Sequence, residues 1–265
     1  MAEAISDKHV VSVLRPFVRA TGPVVDALRE ADPFGLVARA SVDSAEDSVA
    51  GNGSKRARLL EAVKSVKVPG TKGWAAMDTE QRTGWWVNRV GRFTSLVTAV
   101  PGLGGALADR FPIQDTLGAA SQGLLLCAIA GERGVTDVGD RVRLLAWVLF
   151  EREVSRELAQ GTAADRAAED AETAKLTEEL ESAKKRGSVT LKTVARTLWR
   201  LGRSLLGVTD ELEKRPSGRF YHQALGMLPV VGMVGGYLGE RSGLKRVAKR
   251  ANKWFAREEI SNART

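Results

Sequence analysis

Two apolar stretches rich in glycine and proline constrain the fold of this chain more than any other feature. Residues 99–110 read AVPGLGGALADR, and residues 227–241 read MLPVVGMVGGYLGER. In each stretch a proline follows an apolar residue, small residues recur at short spacings, and an acidic residue beside an arginine ends the run. Small residues four apart, such as Gly235 and Gly239, let helix backbones approach closely. The pattern therefore predicts two tightly packed, glycine-rich helical hairpins.

The rest of the chain is typical of helices rather than strands. Apolar residues recur at spacings of three and four, and no period-2 alternation of β-branched residues extends to a useful length. With 43% hydrophobic residues among 265, the chain can bury a real core. The sequence predicts an all-α fold, a compact helical domain with the two glycine-rich apolar hairpins and a long charged helical insertion.

Proline, glycine and charge divide the chain into four parts. These parts are N-terminal helices and a linker (1–54), a first helical half with the Pro-Gly hairpin (55–150), the charged insertion (151–187), and a second half with the glycine-rich hairpin and a basic C-terminal helix (188–265). The insertion is dominated by Ala, Glu, Asp, Lys and Arg and has a thin apolar stripe. We expect it to form one long solvated helix, or two helices around Gly161, that project from the core.

Local signals predict several individual elements. Prolines split the N-terminal region into two short helices around residues 10–19 and 23–31. A further helix is predicted over residues 55–66, and another over 79–100. Asp78, with a glutamine three residues on, is the expected N-cap of this last helix.

The net charge of +8, with a pI near 9.8, favours an anionic partner. Basic residues concentrate in three segments that also carry apolar residues at helical spacing, at residues 55–64, 190–206 and 243–257. We select candidate contact residues from the last two segments: Lys192, Arg196, Arg200, Arg203, Lys245, Arg246, Lys249, Arg250, Lys253, Trp254 and Phe255.

A basic amphipathic helix that ends in Trp254-Phe255 suits a membrane surface, because the rings can lie at headgroup level while the cations face anionic lipid. Most such helices in soluble proteins instead place the apolar stripe on the core and solvate the charges. Both interpretations stay open at this stage, together with contact to nucleic acid.

The sequence offers no constellation of catalytic residues. The single cysteine, Cys127, lies in an apolar run and is expected to be buried, and only two histidines are present, too few for a clustered imidazole metal site. The GLGGAL run at residues 102–107 has leucine at the third glycine position of a dinucleotide-binding turn and no strand before it. We therefore expect no enzyme, no cofactor and no metal.

Several short motifs follow one another in a recognisable order. They are VPG at residues 100–102, a leucine-rich helix that ends in AGERG at 130–134, a charged variable middle, LPVVGMVGG at 228–236, and a basic helix with Ala251 and Phe255. In this order the chain resembles the EcsC family of bacterial proteins over roughly residues 85–255. Family members often have Tyr-Gly where this chain has Arg133-Gly134. The resemblance implies an α-helical, membrane-associated accessory protein, since some members accompany ABC-transporter components, and it carries over no catalytic residues.

These observations lead to one expected function and two alternatives. We expect a non-enzymatic bacterial accessory protein that associates with an anionic membrane surface or with a membrane-protein partner. The alternatives are a cytoplasmic scaffold that self-associates and, on charge alone, a nucleic-acid binder. Because the N-terminal residues contain acids and no uninterrupted apolar run, we expect a cytoplasmic location, peripheral to the inner face of the membrane.

Overall fold

A computed structural model of the protein describes residues 6–29, 69, 71–98, 113–187, 189–213 and 236–262. Over these ranges the protein is all-α and compact, without a strand. The helices are α1 (Asp7–Arg29), α2 (Lys72–Ala75), α3 (Thr79–Thr98), α4 (Ile113–Glu132), α5 (Val138–Phe150), α6 (Arg156–Gln160), α7 (Ala163–Lys185), α8 (Leu191–Glu213) and α9 (Gly236–Asn262). The predicted helix at 55–66, the whole of the stretch 99–110 and residues 227–235 of the second stretch lie outside the described residues.

The centre of the fold is α4. Every residue from 116 to 130 is buried, and this stretch contains no charged side chain. A helix that is apolar on all sides must be covered on all sides. Five helices cover α4 by packing directly against it: α1, α3, α5, α8 and α9.

Two hydroxyl groups inside this centre, those of Ser121 and Thr94, are paired. The Ser121 hydroxyl lies 2.7 Å from the Leu117 carbonyl oxygen, to which it donates, and 2.6 Å from the Thr94 hydroxyl of α3. Cys127 is buried as predicted, and burial raises the pKa of its thiol to about 11. The thiol therefore stays protonated and unreactive at neutral pH.

Glycine permits the closest helix crossing. A Cβ atom on Gly202 of α8 would overlap the Thr116 carbonyl oxygen of α4, so the two backbones meet with no side chain between them. The sequence predicted close crossings of this kind within the glycine-rich stretches, and the structure has one at a glycine outside them.

Helix α1 corrects the prediction of two short N-terminal helices. It runs unbroken through Pro16 and Pro23. A proline inside a helix costs about 3 kcal/mol. Burial of a large apolar side chain contributes about 1.5–3 kcal/mol, and α1 fully buries Leu14, Phe17 and Val24 among others. Tertiary packing therefore outweighs the two proline penalties.

The N-cap of α3 is confirmed. The Gln81 backbone N–H donates to Asp78 Oδ1 at 2.7 Å, and the Asp78 backbone N–H donates to Gln81 Oε1 at 3.2 Å. This reciprocal pair satisfies two backbone donors at the helix start.

The charged insertion forms two helices around Gly161, α6 and α7, but it does not project from the core. Helix α7 lies along α1 and α8 and buries Leu176 and Leu180. Its thin apolar stripe is supplemented by a buried ion pair, in which Arg15 Nη2 of α1 lies 2.7 Å from Glu169 Oε1. That long-range pair is why the expectation of a solvated projection is wrong.

Gly161 is required at the turn between α6 and α7. Its φ of +64° lies in the left-handed region, and a Cβ atom there would collide with the Arg15 guanidinium. The same guanidinium donates from Nη1 to the Leu158 carbonyl oxygen at 2.8 Å. The turn and the buried ion pair therefore depend on each other.

Gly202→Ala tests the α4–α8 crossing. The added methyl group must push α8 away from the Thr116 backbone, and we expect a loss of about 2 kcal/mol or more in the free energy of unfolding, measured by denaturant titration. Gly207→Ala on the same helix is the control. Nothing lies within 4 Å of its Cβ position, so it should stabilise the protein by about 0.5–1 kcal/mol. Equal effects of the two variants would contradict the close crossing.

Gly161→Ala tests the coupling of the turn to Arg15. Gly187→Ala is the control, because Gly187 also has a positive φ, +63°, but has open space around its Cβ position. It should lose only the free energy of the backbone strain, about 1 kcal/mol. The Gly161 variant must also displace a buried arginine from its partner, and we expect it to cost about 3 kcal/mol or more. Denaturant unfolding of both variants measures the difference. If Gly161→Ala lowers the free energy of unfolding no more than Gly187→Ala does, the position of Arg15 does not depend on the turn.

Candidate functional site

Helix α9 is two-sided, as its periodicity predicts. Its apolar side packs on α3, α4 and α5 and buries Leu244, Val247, Ala248 and Ala251. On the opposite side four cations are exposed, a set that we call the α9 basic face: Lys245, Arg246, Lys249 and Lys253.

The α9 basic face is a compact patch of positive charge. At 100° per residue its members fall within an arc of about 100°, and the rise from Lys245 to Lys253 is about 12 Å. None of the four forms an ion pair within the described parts of the chain. Four uncompensated cations on one rigid helix form a surface that attracts anions.

Trp254 and Phe255 do not belong to this face. They are only 6% and 5% exposed, and their rings meet edge to face with centroids 5.1 Å apart. The Arg143 guanidinium carbon lies 5.7 Å from the Trp254 ring centroid, and that of Arg133 lies 4.6 Å from the Phe255 ring centroid. The prediction that these aromatic rings meet lipid headgroups is wrong, because protein already covers them.

Arg250 contributes more to the packing of α9 on α5 than to the exposed positive charge of α9. It is half-buried, its Nη2 lies 2.9 Å from Glu151 Oε1, and its guanidinium carbon lies 5.7 Å from the Trp147 ring centroid. It thereby ties the middle of α9 to the end of α5.

Arg143 ties the next turns of α9 to α5. Its Nη1 and Nη2 each donate to one Glu258 oxygen at 2.9 Å, a bidentate pair, while the same guanidinium covers Trp254. Because both contacts hold α9 at fixed rotation, the α9 basic face keeps one orientation.

The basic residues predicted on α8 have mixed roles. Lys192 and Arg196 are exposed, and Arg200 and Arg203 are half-buried. Arg196 and Arg200 both pair with Glu179 of α7, at 2.8 and 3.2 Å. Helix α8 therefore uses two of its four cations to hold the charged insertion.

Sequence reasoning missed an arginine-tryptophan cluster around α3. Trp85 meets both Trp74 and Trp86 edge to face, at 5.1 Å in each case. Three guanidinium groups lie over these rings at 5.4–6.0 Å, one over each: Arg29 on Trp86, Arg82 on Trp74 and Arg89 on Trp85. The available signal was Trp85-Trp86 with arginines three residues on either side.

Sequence reasoning also missed the role of the AGERG motif at residues 130–134. It forms the corner between α4 and α5, where the Glu132 side chain accepts a hydrogen bond from Trp86 Nε1 at 3.2 Å and Gly134 has a φ of +74°. Arg133 Nη2 donates to Asn252 Oδ1 of α9 at 3.0 Å. The motif therefore links α3, α4 and α9.

Two other kinds of feature are absent from the described residues. No group of three or more His, Cys, Asp or Glu side chains there is arranged to hold a metal ion. In the same ranges no helix combines the length and apolar character that crossing a bilayer requires.

Arg143→Lys tests how α9 is held. Lysine cannot form the bidentate pair or stack flat on an indole, and we expect a loss of about 1–2 kcal/mol in the free energy of unfolding. Arg257→Lys is the matched control, because its pair with Glu153 is exposed and should contribute nothing measurable. Denaturant unfolding distinguishes the two. An unchanged stability in Arg143→Lys would contradict the role of this residue.

Comparison with known proteins leaves the family open: no family model matches the chain, and neither a curated protein nor a solved structure matches it. The resemblance to the EcsC family stays a prediction that rests on the short motifs. Of these, AGERG and the basic helix with Ala251 and Phe255 lie within the described residues, whereas VPG and nearly all of LPVVGMVGG do not.

Proposed function

We propose that this protein is a non-catalytic peripheral protein that binds an anionic membrane surface through the α9 basic face. The observation that supports the proposal is the outward alignment of Lys245, Arg246, Lys249 and Lys253 on a helix whose other side is fixed to the core. The net charge of +8 also favours binding to an anionic surface. The motif resemblance to a bacterial family with members beside transporter components points to the cytoplasmic membrane.

The strength of this interaction follows from the number of cations. Each lysine or arginine near an anionic leaflet contributes about 1 kcal/mol, so the face supplies about 4 kcal/mol. That free energy corresponds to a dissociation constant of about 1 mM. Because Trp254 and Phe255 are buried and do not insert, binding is weak, reversible and electrostatic. A membrane-protein partner beside the lipid would supply the remaining affinity by holding a second site.

Co-sedimentation with vesicles tests the proposal. We expect the protein to sediment with vesicles that contain phosphatidylglycerol, and not with pure phosphatidylcholine. Binding should fall as salt rises, because the Debye length shrinks from about 10 Å at 0.1 M to about 3 Å at 1 M. The triple variant Lys245→Glu, Lys249→Glu, Lys253→Glu should abolish sedimentation.

The control changes the same total charge at scattered exposed positions, in the triple variant Lys8→Glu, Lys72→Glu, Lys175→Glu. It should lose much less binding, because the effect depends on the concentrated face and not on net charge alone. Equal loss in both triple variants would contradict a specific face. If short duplex DNA binds the wild type more tightly than the vesicles do, the anionic partner is a nucleic acid and the membrane proposal fails.

A further inference from the structure

A second group of exposed cations lies where α7 ends and α8 begins. We call it the α7–α8 basic corner: Lys184, Lys185, Arg186 and Lys192. None of the four forms an ion pair within the part of the chain that the structure describes, and residues 182–195 contain no acidic residue. Lys184 and Lys185 suit the negative end of the α7 dipole, but that end carries only about half a charge. Lys192 lies in the first turn of α8, where the helix dipole is positive and offers no compensation.

Helix packing places this corner on the side of the protein opposite the α9 basic face. The five helices that cover α4 form a closed ring, because each packs on the next in the order α8, α1, α5, α9, α3 and back to α8. Helix α7 lies outside this ring, against α1 and α8. In a ring of five, the member opposite the α1–α8 pair is α9. Since packed helices lie 8–10 Å apart, about 25 Å separates the axes of α7 and α9.

The α7–α8 basic corner is convex, whereas the α9 basic face is a single stripe. Lys184 and Lys185 end α7, and Arg186 follows them in helical backbone conformation, so the three side chains fan out over about 200° around the helix axis. A flat bilayer cannot meet cations that point in such different directions, but a flexible chain can wrap around them. Residues 182–195 contain no aromatic side chain on which nucleic-acid bases could stack. The ligand that fits is therefore a polypeptide segment rich in aspartate and glutamate.

We propose that the α7–α8 basic corner binds an acidic segment of a partner protein. The corner faces away from a membrane that contacts α9, and a Debye length of about 10 Å at 0.1 M salt keeps the two sets of cations independent. The protein then brings an acidic partner to the membrane surface. Binding of the acidic segment stands without the proposed function, and only its recruitment to the membrane rests on that function.

Titration of a fluorescent octaglutamate peptide, followed by fluorescence polarisation without vesicles, tests the corner. We expect the wild-type protein to bind the peptide with an affinity that falls as salt rises. The corner variant Lys184→Glu, Lys185→Glu, Lys192→Glu should raise the Kd about tenfold or more, because three attractive contacts become repulsive. Glutamine at the same three positions adds no acid at the end of α7, and it should also raise the Kd.

The triple variant with scattered lysine replacements, used above for vesicle binding, is the matched control. It undergoes the same change of net charge and should raise the Kd of the peptide much less than the corner variant does. The proposal is overturned if the wild type does not bind octaglutamate, or if the corner and scattered variants lose equal affinity. Tighter binding of oligodeoxythymidylate than of octaglutamate would assign the corner to nucleic acid and would also overturn it.

Vesicles that contain phosphatidylglycerol distinguish this proposal from the membrane proposal. The wild type should carry octaglutamate into the vesicle pellet, whereas the corner variant should sediment without the peptide. Binding of the peptide in solution, together with no sedimentation of the wild type, would contradict the membrane proposal alone. Aggregation of the vesicles by the wild type but not by the corner variant would assign the corner to a second membrane, and would overturn the acidic partner.

Discussion

The burial of α4 on every side is the constraint from which the rest of the structure follows. A stretch of fifteen consecutive buried residues, 116–130, has no side that can face water, so α1, α3, α5, α8 and α9 must all pack against it. Covering one helix with five neighbours requires close approach, which Gly202 allows where α8 crosses α4. The charged helix α7 is then left to pack on α1 and α8 in an outer layer.

Arginine and lysine have different roles in this protein. Arginines hold the layers together through forked ion pairs and flat contacts on aromatic rings, as Arg15 does with Glu169 and Arg143 does with Glu258 and Trp254. The planar guanidinium suits both contacts, whereas the compact, strongly hydrated ammonium of lysine stays in water. Three of the four cations of the α9 basic face are accordingly lysines.

The sequence was sufficient to predict the structural features that depend on residues close together in the chain. Helical periodicity predicted the fold class and the two sides of α9, and the spacing of Asp78 and Gln81 predicted an N-cap that the structure contains. Burial of Cys127 followed from its apolar neighbours. Each of these rests on residues a few positions apart.

The sequence was insufficient to predict the structural features that depend on contacts between residues far apart in the chain. The continuity of α1 through two prolines depends on packing against other helices, and the docking of α7 depends on a pair 154 residues apart. Periodicity showed that Trp254 and Phe255 share the apolar side of α9, but it could not distinguish a side covered by protein from one covered by lipid.

Hydrogen exchange of α9, measured on the protein free and bound to anionic vesicles, tests the proposal that this helix binds through its cations while its aromatic side stays in the core. We expect backbone amides from Leu244 to Phe255 to exchange slowly in the free protein and no faster on vesicles. Faster exchange of these amides on binding would show that α9 leaves α4 and α5 to enter lipid, and that its cations alone do not make the contact.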